Sequence, residues 1–136
     1  MNKLNFDNLI FYTINPHYKE YSINKLVHNF KHTLKTYYKN TLGPRYHKHK
    51  DKQLNIYIFP EETTNEIKEP HLHIIIEIDK PKRETFFEFM NNELVKMYPS
   101  LTYDIQQVIN TETDKTKLLA YCNKEDKQIL GKEDLW

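Results

Sequence analysis

Two histidines separated by one residue are the strongest candidates for chemistry in this sequence. His71 and His73 lie in the segment Glu-Pro-His-Leu-His-Ile-Ile-Ile-Glu, which is typical of a central β-strand. Residues i and i+2 of a strand face the same side, so both imidazoles project together and Leu72 faces the other way. Two imidazoles roughly 6–7 Å apart along a strand can chelate one divalent cation. The alternative is a half-exposed strand whose polar positions are histidine.

A carboxylate near the end of the preceding strand could supply a third ligand. Glu61 and Glu62 follow the predicted strand 53–60 and would lie across a hairpin from the two histidines. Two imidazoles and one carboxylate form a facial metal site with open positions for water and substrate. The two glutamates face opposite sides, so at most one is the ligand, and both remain candidates. The alternative is that both are ordinary turn residues.

The third candidate group is a tyrosine beside lysines near the C-terminus. Tyr121 and Lys124 are three residues apart in a predicted helix, and Lys117 precedes Tyr121 by four, so all three share a side. The alternative is a tyrosine that only covers the rim of the core.

Together these groups could cleave a phosphodiester through a covalent phosphotyrosine, with a divalent cation drawing electron density from a non-bridging oxygen. A tyrosine with a pKa near 10 is about 0.1% phenolate at pH 7, so its activation must contribute up to roughly 4 kcal/mol. Lys124 can stabilise the phenolate or the phosphoryl charge. Imidazole ligands favour Mn²⁺ over Mg²⁺, although the availability of Mg²⁺ could decide which ion is used.

The remaining pattern predicts the elements that must position these groups. Its order is β-α-β-β-α-β followed by a C-terminal helix, which indicates an α+β, ferredoxin-like antiparallel sheet with helices packed on it. The predicted segments are a strand over 8–14, a helix from the N-cap Ser22 to Gly43, a basic loop over 44–52, strands over 53–60 and 71–79 joined by a turn over 61–69, a helix from Pro81 to Tyr98, a strand over 101–109 and a helix over 112–128.

Length and composition exclude several classes of protein. The 136 residues are enough for one domain, and a single cysteine excludes a disulfide framework or a cysteine-based zinc cluster. No apolar run approaches the roughly 18 residues needed to span a bilayer, and no signal peptide is recognisable. We therefore expect a soluble, intracellular protein without a membrane partner.

Charge is distributed unevenly along the chain. Residues 1–52 carry ten Lys and Arg against three Asp and Glu, a balance of +7, whereas residues 53–136 carry ten against sixteen, a balance of −6. A basic first half suggests a face that binds a polyanion, and the alternative is a solvated helix face. The cations expected to contact phosphates are Lys25, Lys31 and Lys35 of the first helix and Arg45 and Lys48 of the basic loop.

Three motifs resemble those of the HUH-endonuclease replication initiators, the Rep proteins of rolling-circle plasmids and small single-stranded DNA viruses. His71-Leu72-His73 after Glu69-Pro70 resembles their second motif, and Tyr121-Cys122-Asn123-Lys124-Glu125 their third. The run from Phe11 to Pro16 is similar to their first motif, which lies on the first strand near the DNA. The three motifs follow the order of the family and span almost the whole chain.

The resemblance implies a single HUH-type endonuclease domain over residues 1–136, of the single-tyrosine type. In such an enzyme His71 and His73, with a glutamate, bind Mn²⁺ or Mg²⁺, and Tyr121 nicks and rejoins DNA through a 5′-phosphotyrosyl link. Lys124 would take the role of the motif lysine. Thr13, Asn15 and Lys117 would contact DNA.

The partners implied are single-stranded origin DNA, in linear or hairpin form, and host replication machinery or a helicase supplied in trans, because no Walker loop follows. The compartment implied is the cytoplasm, or the host nucleus for a protein from a eukaryotic virus.

Two other functions fit parts of this pattern. Single-tyrosine insertion-sequence transposases also carry a His-x-His pair, but place a glutamine four residues after the tyrosine, where this chain has Glu125. A non-catalytic ferredoxin-like module could bind nucleic acid by stacking bases on sheet aromatics. Here the third strand carries histidine and isoleucine, and the aromatic residues concentrate in the helices, which disfavours such a module.

Overall fold

The chain forms an α+β fold with a four-stranded antiparallel sheet and two helices packed on it, as predicted. The computed structural model describes residues 8–17, 22–62 and 70–107. The elements in chain order are β1 (Leu9–Asn15), α1 (Ile23–Leu42), two short 3-10 turns (Tyr46–Lys48 and Lys50–Lys52), β2 (Asn55–Glu62), β3 (Pro70–Glu77), α2 (Lys80–Met97) and β4 (Thr102–Gln107). The predicted C-terminal helix over 112–128 lies outside the described residues.

The order of strands across the sheet is β2-β3-β1-β4, with antiparallel pairing between all neighbours. This order and the β-α-β-β-α-β connectivity are compatible with a ferredoxin-like arrangement. β3 lies between β2 and β1, so the prediction that the histidine-bearing strand is central and pairs with the strand before it is confirmed.

Local signals set both ends of α1. The Ser22 hydroxyl accepts a hydrogen bond from the backbone N–H of Lys25 at 3.2 Å, which satisfies one of the free donors of the first turn. Gly43 follows the last helical residue with φ +89°, a backbone conformation that glycine adopts without steric cost. The predicted boundaries of this helix are therefore confirmed.

Both helices pack on the same face of the sheet. Ile10, Tyr12 and Ile14 of β1 are buried there with Phe30 of α1 and Phe86 of α2. Leu72, Ile74 and Ile76 of β3 belong to the same core. Because side chains alternate along a strand, the odd-numbered residues of β1 and β3 lie on the opposite face. We call it the open face because His71 and His73 are partly exposed there, although Leu9 and Ile75 on the same face are buried.

The predicted boundaries differ from the structure mainly at the hairpin between β2 and β3. β2 continues through Glu62, so Glu61 and Glu62 are strand residues and not the start of a turn. β3 begins at Pro70 and ends at Glu77, and α2 begins at Lys80, so Pro81 lies in its first turn. Neither described helix has the length and apolar character needed to cross a membrane.

Candidate metal centre

The pairing of β2 with β3 brings one glutamate to the two histidines. Glu61 lies directly opposite His71 in the antiparallel register, and Phe59 lies opposite His73. The Oε2 atom of Glu61 is 2.8 Å from Nε2 of His73 and 3.5 Å from Nε2 of His71. One carboxylate oxygen therefore contacts both imidazoles, and the structure selects Glu61 from the two glutamates that the sequence left open.

The spacing of these atoms fits a metal ion. One ligand atom from each of Glu61, His71 and His73 lies within 4.8 Å of the others. Donors at about 2.1 Å from an octahedral ion lie roughly 3 Å apart, close to the two contacts of Glu61. The three side chains are 13% to 24% exposed, so the group is held by the sheet and still open on one side. It could bind a divalent metal ion and leave positions for other ligands.

Thr13 of β1 supports one of these ligands from behind. It pairs with His73 across the β1–β3 ladder, and its Oγ1 lies 3.4 Å from Nδ1 of His73. A proton on Nδ1 of His73 would be donated to this hydroxyl and would leave the Nε2 lone pair for a metal ion, whereas the 2.8 Å contact of Nε2 with Oε2 of Glu61 is a hydrogen bond that needs the proton on Nε2. An outer partner of this kind fixes both the ring and the tautomer of a ligating histidine.

A cavity opens beside the three-residue group on the open face. Its volume is about 180 Å³, and its lining includes Phe11 and Thr13 of β1, Phe59 of β2, His73 of β3, and Asp104 and Gln106 of β4. His73 belongs to both the candidate metal group and the wall of this cavity. A ligand in the cavity would therefore lie next to a bound ion.

Tyr12, although it lies in the first motif, is not placed to act as a nucleophile. Its hydroxyl donates to Oδ1 of Asn91 on α2, on the helix side of the sheet. Burial raises the pKa of Tyr12 far above its usual value, so the phenol keeps its proton. The predicted nucleophile Tyr121, with Lys124 and Lys117, lies outside the described residues.

Asn15 lies at the end of β1 nearest the candidate metal group. Its side-chain oxygen accepts a hydrogen bond from the backbone N–H of His17 at 2.9 Å, and His17 has a positive φ of 60°. The His17 ring lies 2.7 Å from Oγ1 of Thr102, the first residue of β4. These contacts tie the end of β1 to β4 beside the site.

The predicted DNA-binding cations in the described first half of the chain lie away from the candidate metal group. Lys25, Lys31 and Lys35 belong to α1, which packs on the face of the sheet opposite to the histidines. Arg45 and Lys48 lie in the connection from α1 to β2, and the group is at the other end of β2. Their contact with DNA stays a prediction. A DNA strand that touched both these cations and the candidate metal group would have to pass around the edge of the sheet.

Sequence reasoning missed the cavity and the residues of β4 that line it. Asp104 and Gln106 are opposite Thr13 and Phe11 in the β1–β4 register. The sequence-based expectation also assigned the aromatic residues mainly to the helices. By strand alternation, however, Phe11, Tyr57 and Phe59 lie on the open face. The alternation of the strands was the signal that could have identified them.

Comparison with known proteins returned no match. No family model, curated protein or solved structure is similar enough to this chain to be counted as a relative.

Proposed function

We propose that the chain is a metal-dependent single-stranded DNA endonuclease and strand transferase that initiates rolling-circle replication. The observation that supports this most directly is the Glu61, His71 and His73 group, two imidazoles and a carboxylate that converge on one face of the sheet. Its position beside a cavity supports a substrate that binds on the open face. The resemblance of three motifs to the HUH initiators supplies the reaction.

The three side chains suit Mn²⁺, or Mg²⁺ where it is more available. When bound, the ion would withdraw electron density from a non-bridging oxygen of the scissile phosphate. Glu61 contributes a negative charge and the two histidines contribute neutral donors. With an ion bound, the Thr13 hydroxyl beside Nδ1 would support the tautomer of His73 that offers Nε2 to the metal.

Tyr121 is the proposed nucleophile. Its phenolate oxygen forms a bond to phosphorus, and the bond from phosphorus to the 3′ oxygen of the preceding nucleotide breaks. The phenol proton passes to solvent, and the departing 3′ oxygen takes a proton from water. Lys124 stabilises the negative charge of the phenolate. The products are a 5′-phosphotyrosyl link and a free 3′-hydroxyl, and attack by that hydroxyl reverses the reaction.

A covalent adduct is the direct test. The protein is incubated with a randomised single-stranded DNA pool and Mn²⁺, with the DNA labelled at its 3′ end in one sample and at its 5′ end in another. We expect the 3′ label to migrate with the protein on a denaturing gel and the 5′ label to appear as shorter free fragments. Sequencing the attached strand would identify the cleaved site.

Two variants provide the comparison. Tyr121→Phe should abolish the adduct, whereas Tyr103→Phe, the same change at an exposed tyrosine of β4, should retain it. Addition of EDTA should stop cleavage and added Mn²⁺ should restore it. An adduct that persists in Tyr121→Phe, or cleavage that continues in EDTA, would contradict the proposal.

A non-catalytic module that binds single-stranded nucleic acid is a second candidate. The observation that favours it is the presence of Phe11 and Tyr57, both partly exposed, on the open face, where aromatic rings can stack on bases. Binding that is unchanged by Tyr121→Phe, together with no cleavage by the wild-type protein under any metal condition, would support the module. In the transposase alternative, a dimer has composite sites in which one subunit supplies Tyr121 and the other supplies His73. The Tyr121→Phe and His73→Ala proteins, each inactive alone, should then recover cleavage when they are mixed.

A further inference from the structure

The cavity on the open face has two chemically different sides. Phe11 provides partly exposed apolar surface, and Phe59 and Ile75, each 1% exposed, line the cavity as tightly packed residues that hold its shape. The other side is made by Asp104 and Gln106 of the edge strand β4, whose side chains are exposed. An apolar surface with polar groups along one edge suits a flat ring that carries its hydrogen-bonding groups on its rim.

The size of the cavity limits what it can hold. About 180 Å³ corresponds to about six water molecules of the liquid. That is below the roughly 300–1,000 Å³ of pockets that enclose a drug-sized ligand. A single planar heterocycle, attached to a chain that continues outside, matches both the volume and the open side of the cavity.

The polar edge has a definite hydrogen-bonding pattern. Asp104 lies opposite Thr13 and Gln106 lies opposite Phe11, so the two side chains follow each other at about 6–7 Å along β4 on the same face. The ionised carboxylate of Asp104 has two acceptor oxygens and no donor, and the amide of Gln106 has both. A ring that presents two neighbouring N–H donors to the carboxylate, and an acceptor beside them to the amide N–H, would satisfy both side chains.

We infer that this cavity is a binding pocket for a guanine base of single-stranded DNA, with Asp104 and Gln106 as the residues that determine its specificity. Guanine is the DNA base whose Watson–Crick edge carries two adjacent donors, N1–H and the N2 amino group, followed by the acceptor O6. Asp104 accepts from the two donors and the Gln106 amide donates to O6. Adenine, cytosine and thymine each place an acceptor where Asp104 needs a donor.

The inference rests on the proposed function for its ligand class, and it adds the position of the base relative to the chemistry. His73 lines the cavity and also belongs to the metal group. A guanine in the cavity therefore places one of its own flanking phosphates beside the group, and base recognition would align the strand for cleavage.

Binding without cleavage tests the inference separately from catalysis. The probes are fluorescent thymidine oligomers about ten nucleotides long, with one central deoxyguanosine, deoxyinosine, deoxyadenosine or deoxycytidine. Affinity is measured by anisotropy in EDTA with the full chain. We expect the guanine oligomer to bind about tenfold more tightly than the adenine and cytosine oligomers. The inosine oligomer, whose base lacks the N2 amino group, should bind about fivefold more weakly than the guanine oligomer.

The variants locate the preference. Asp104→Asn should reduce it to within about twofold, because the amide replaces one acceptor with a donor. Glu88→Gln, which removes the same charge from an exposed position on α2, should retain it. Equal affinity for all oligomers, or a guanine preference that survives in Asp104→Asn, would overturn the inference.

The outcomes also separate this inference from the proposed function. A guanine preference that Asp104→Asn removes, in a protein that never forms the covalent adduct, supports the pocket and refutes the nuclease. Adduct formation with no preference among the oligomers refutes the pocket and supports the nuclease. Absence of any binding to single-stranded DNA would overturn both.

Discussion

Replacement of Glu61 by glutamine is the sharpest test of the candidate metal centre. The amide keeps the shape of the side chain and removes its charge. In the structure a single oxygen of this residue lies 2.8 Å from His73 Nε2 and 3.5 Å from His71 Nε2, so the carboxylate is the anionic member of the three-residue group. The change therefore leaves two neutral imidazoles at the site.

The expected loss follows from the charge that is removed. A carboxylate and a dication about 2.1 Å apart attract each other by about 4 kcal/mol even at the dielectric constant of water. Part of that is offset by desolvation of the carboxylate, which is 24% exposed. Substitutions of outer partners alone cost about 10- to 100-fold in metal affinity. We expect Glu61→Gln to weaken Mn²⁺ binding by at least about 100-fold, or about 2.8 kcal/mol.

Isothermal titration of the metal-free protein with Mn²⁺ near pH 7.5 measures this loss. Glu62→Gln is the matched control, because it changes the charge equally at the next residue of β2. Successive strand residues alternate between the two faces, so a site that uses Glu61 does not use Glu62, and the affinity of this control should stay within about twofold of wild type. Affinity in Glu61→Gln within about threefold of wild type, or an equal loss in Glu62→Gln, would refute the assignment.

Three further predictions follow from other contacts. Thr13→Val removes the oxygen beside Nδ1 of His73 and should weaken Mn²⁺ binding by about tenfold in the same titration, with its melting temperature as the control for folding. Asn91→Leu leaves the buried Tyr12 hydroxyl without its acceptor and should cost about 1–3 kcal/mol in urea unfolding; an unchanged midpoint would contradict this. Burial raises the pKa of Tyr12, Tyr37 and Tyr38 in the folded state, so their stabilising effect is complete below pH 10 and is lost as pH rises further. Above pH 10 the fall of the unfolding free energy with pH should be shallower in Tyr38→Phe than in wild type by up to about 1.4 kcal/mol per pH unit, and an unchanged slope would contradict this.

The histidine pair and its position in the sheet could be predicted because they depend on local pattern. Alternation placed His71 and His73 on one side, and the three isoleucines after them predicted a central strand, which the pairing of β3 confirms. The pairing of β3 with β2 could be predicted because the two strands are neighbours along the chain. These features require no knowledge of how the two layers meet.

The choice between Glu61 and Glu62 could not be made from the sequence because it depends on where β2 ends. The predicted strand 53–60 ends at Pro60 and is followed by a polar segment, and proline lacks the N–H that a central strand donates. β2 is an edge strand, however, and an edge strand tolerates proline better than a central strand, because only one of its sides pairs with a neighbour. The ladder therefore continues to Glu62, and its register brings Glu61 to His71.

The sequence did contain enough information to separate the lysines of α1 from the histidines. In β3 the even-numbered residues Leu72, Ile74 and Ile76 are all apolar, so that side of the strand must be the one that a helix layer covers. The histidines have the opposite parity and must lie on the other face. Since α1 is amphipathic and buries its apolar stripe against the sheet, its lysines project to solvent on the far side of the helix layer. The alternation of side chains in β3 thus predicts that the lysines of α1 and the candidate metal group lie on opposite sides of the sheet. The charge balance along the chain does not show this separation, because it carries no information about faces.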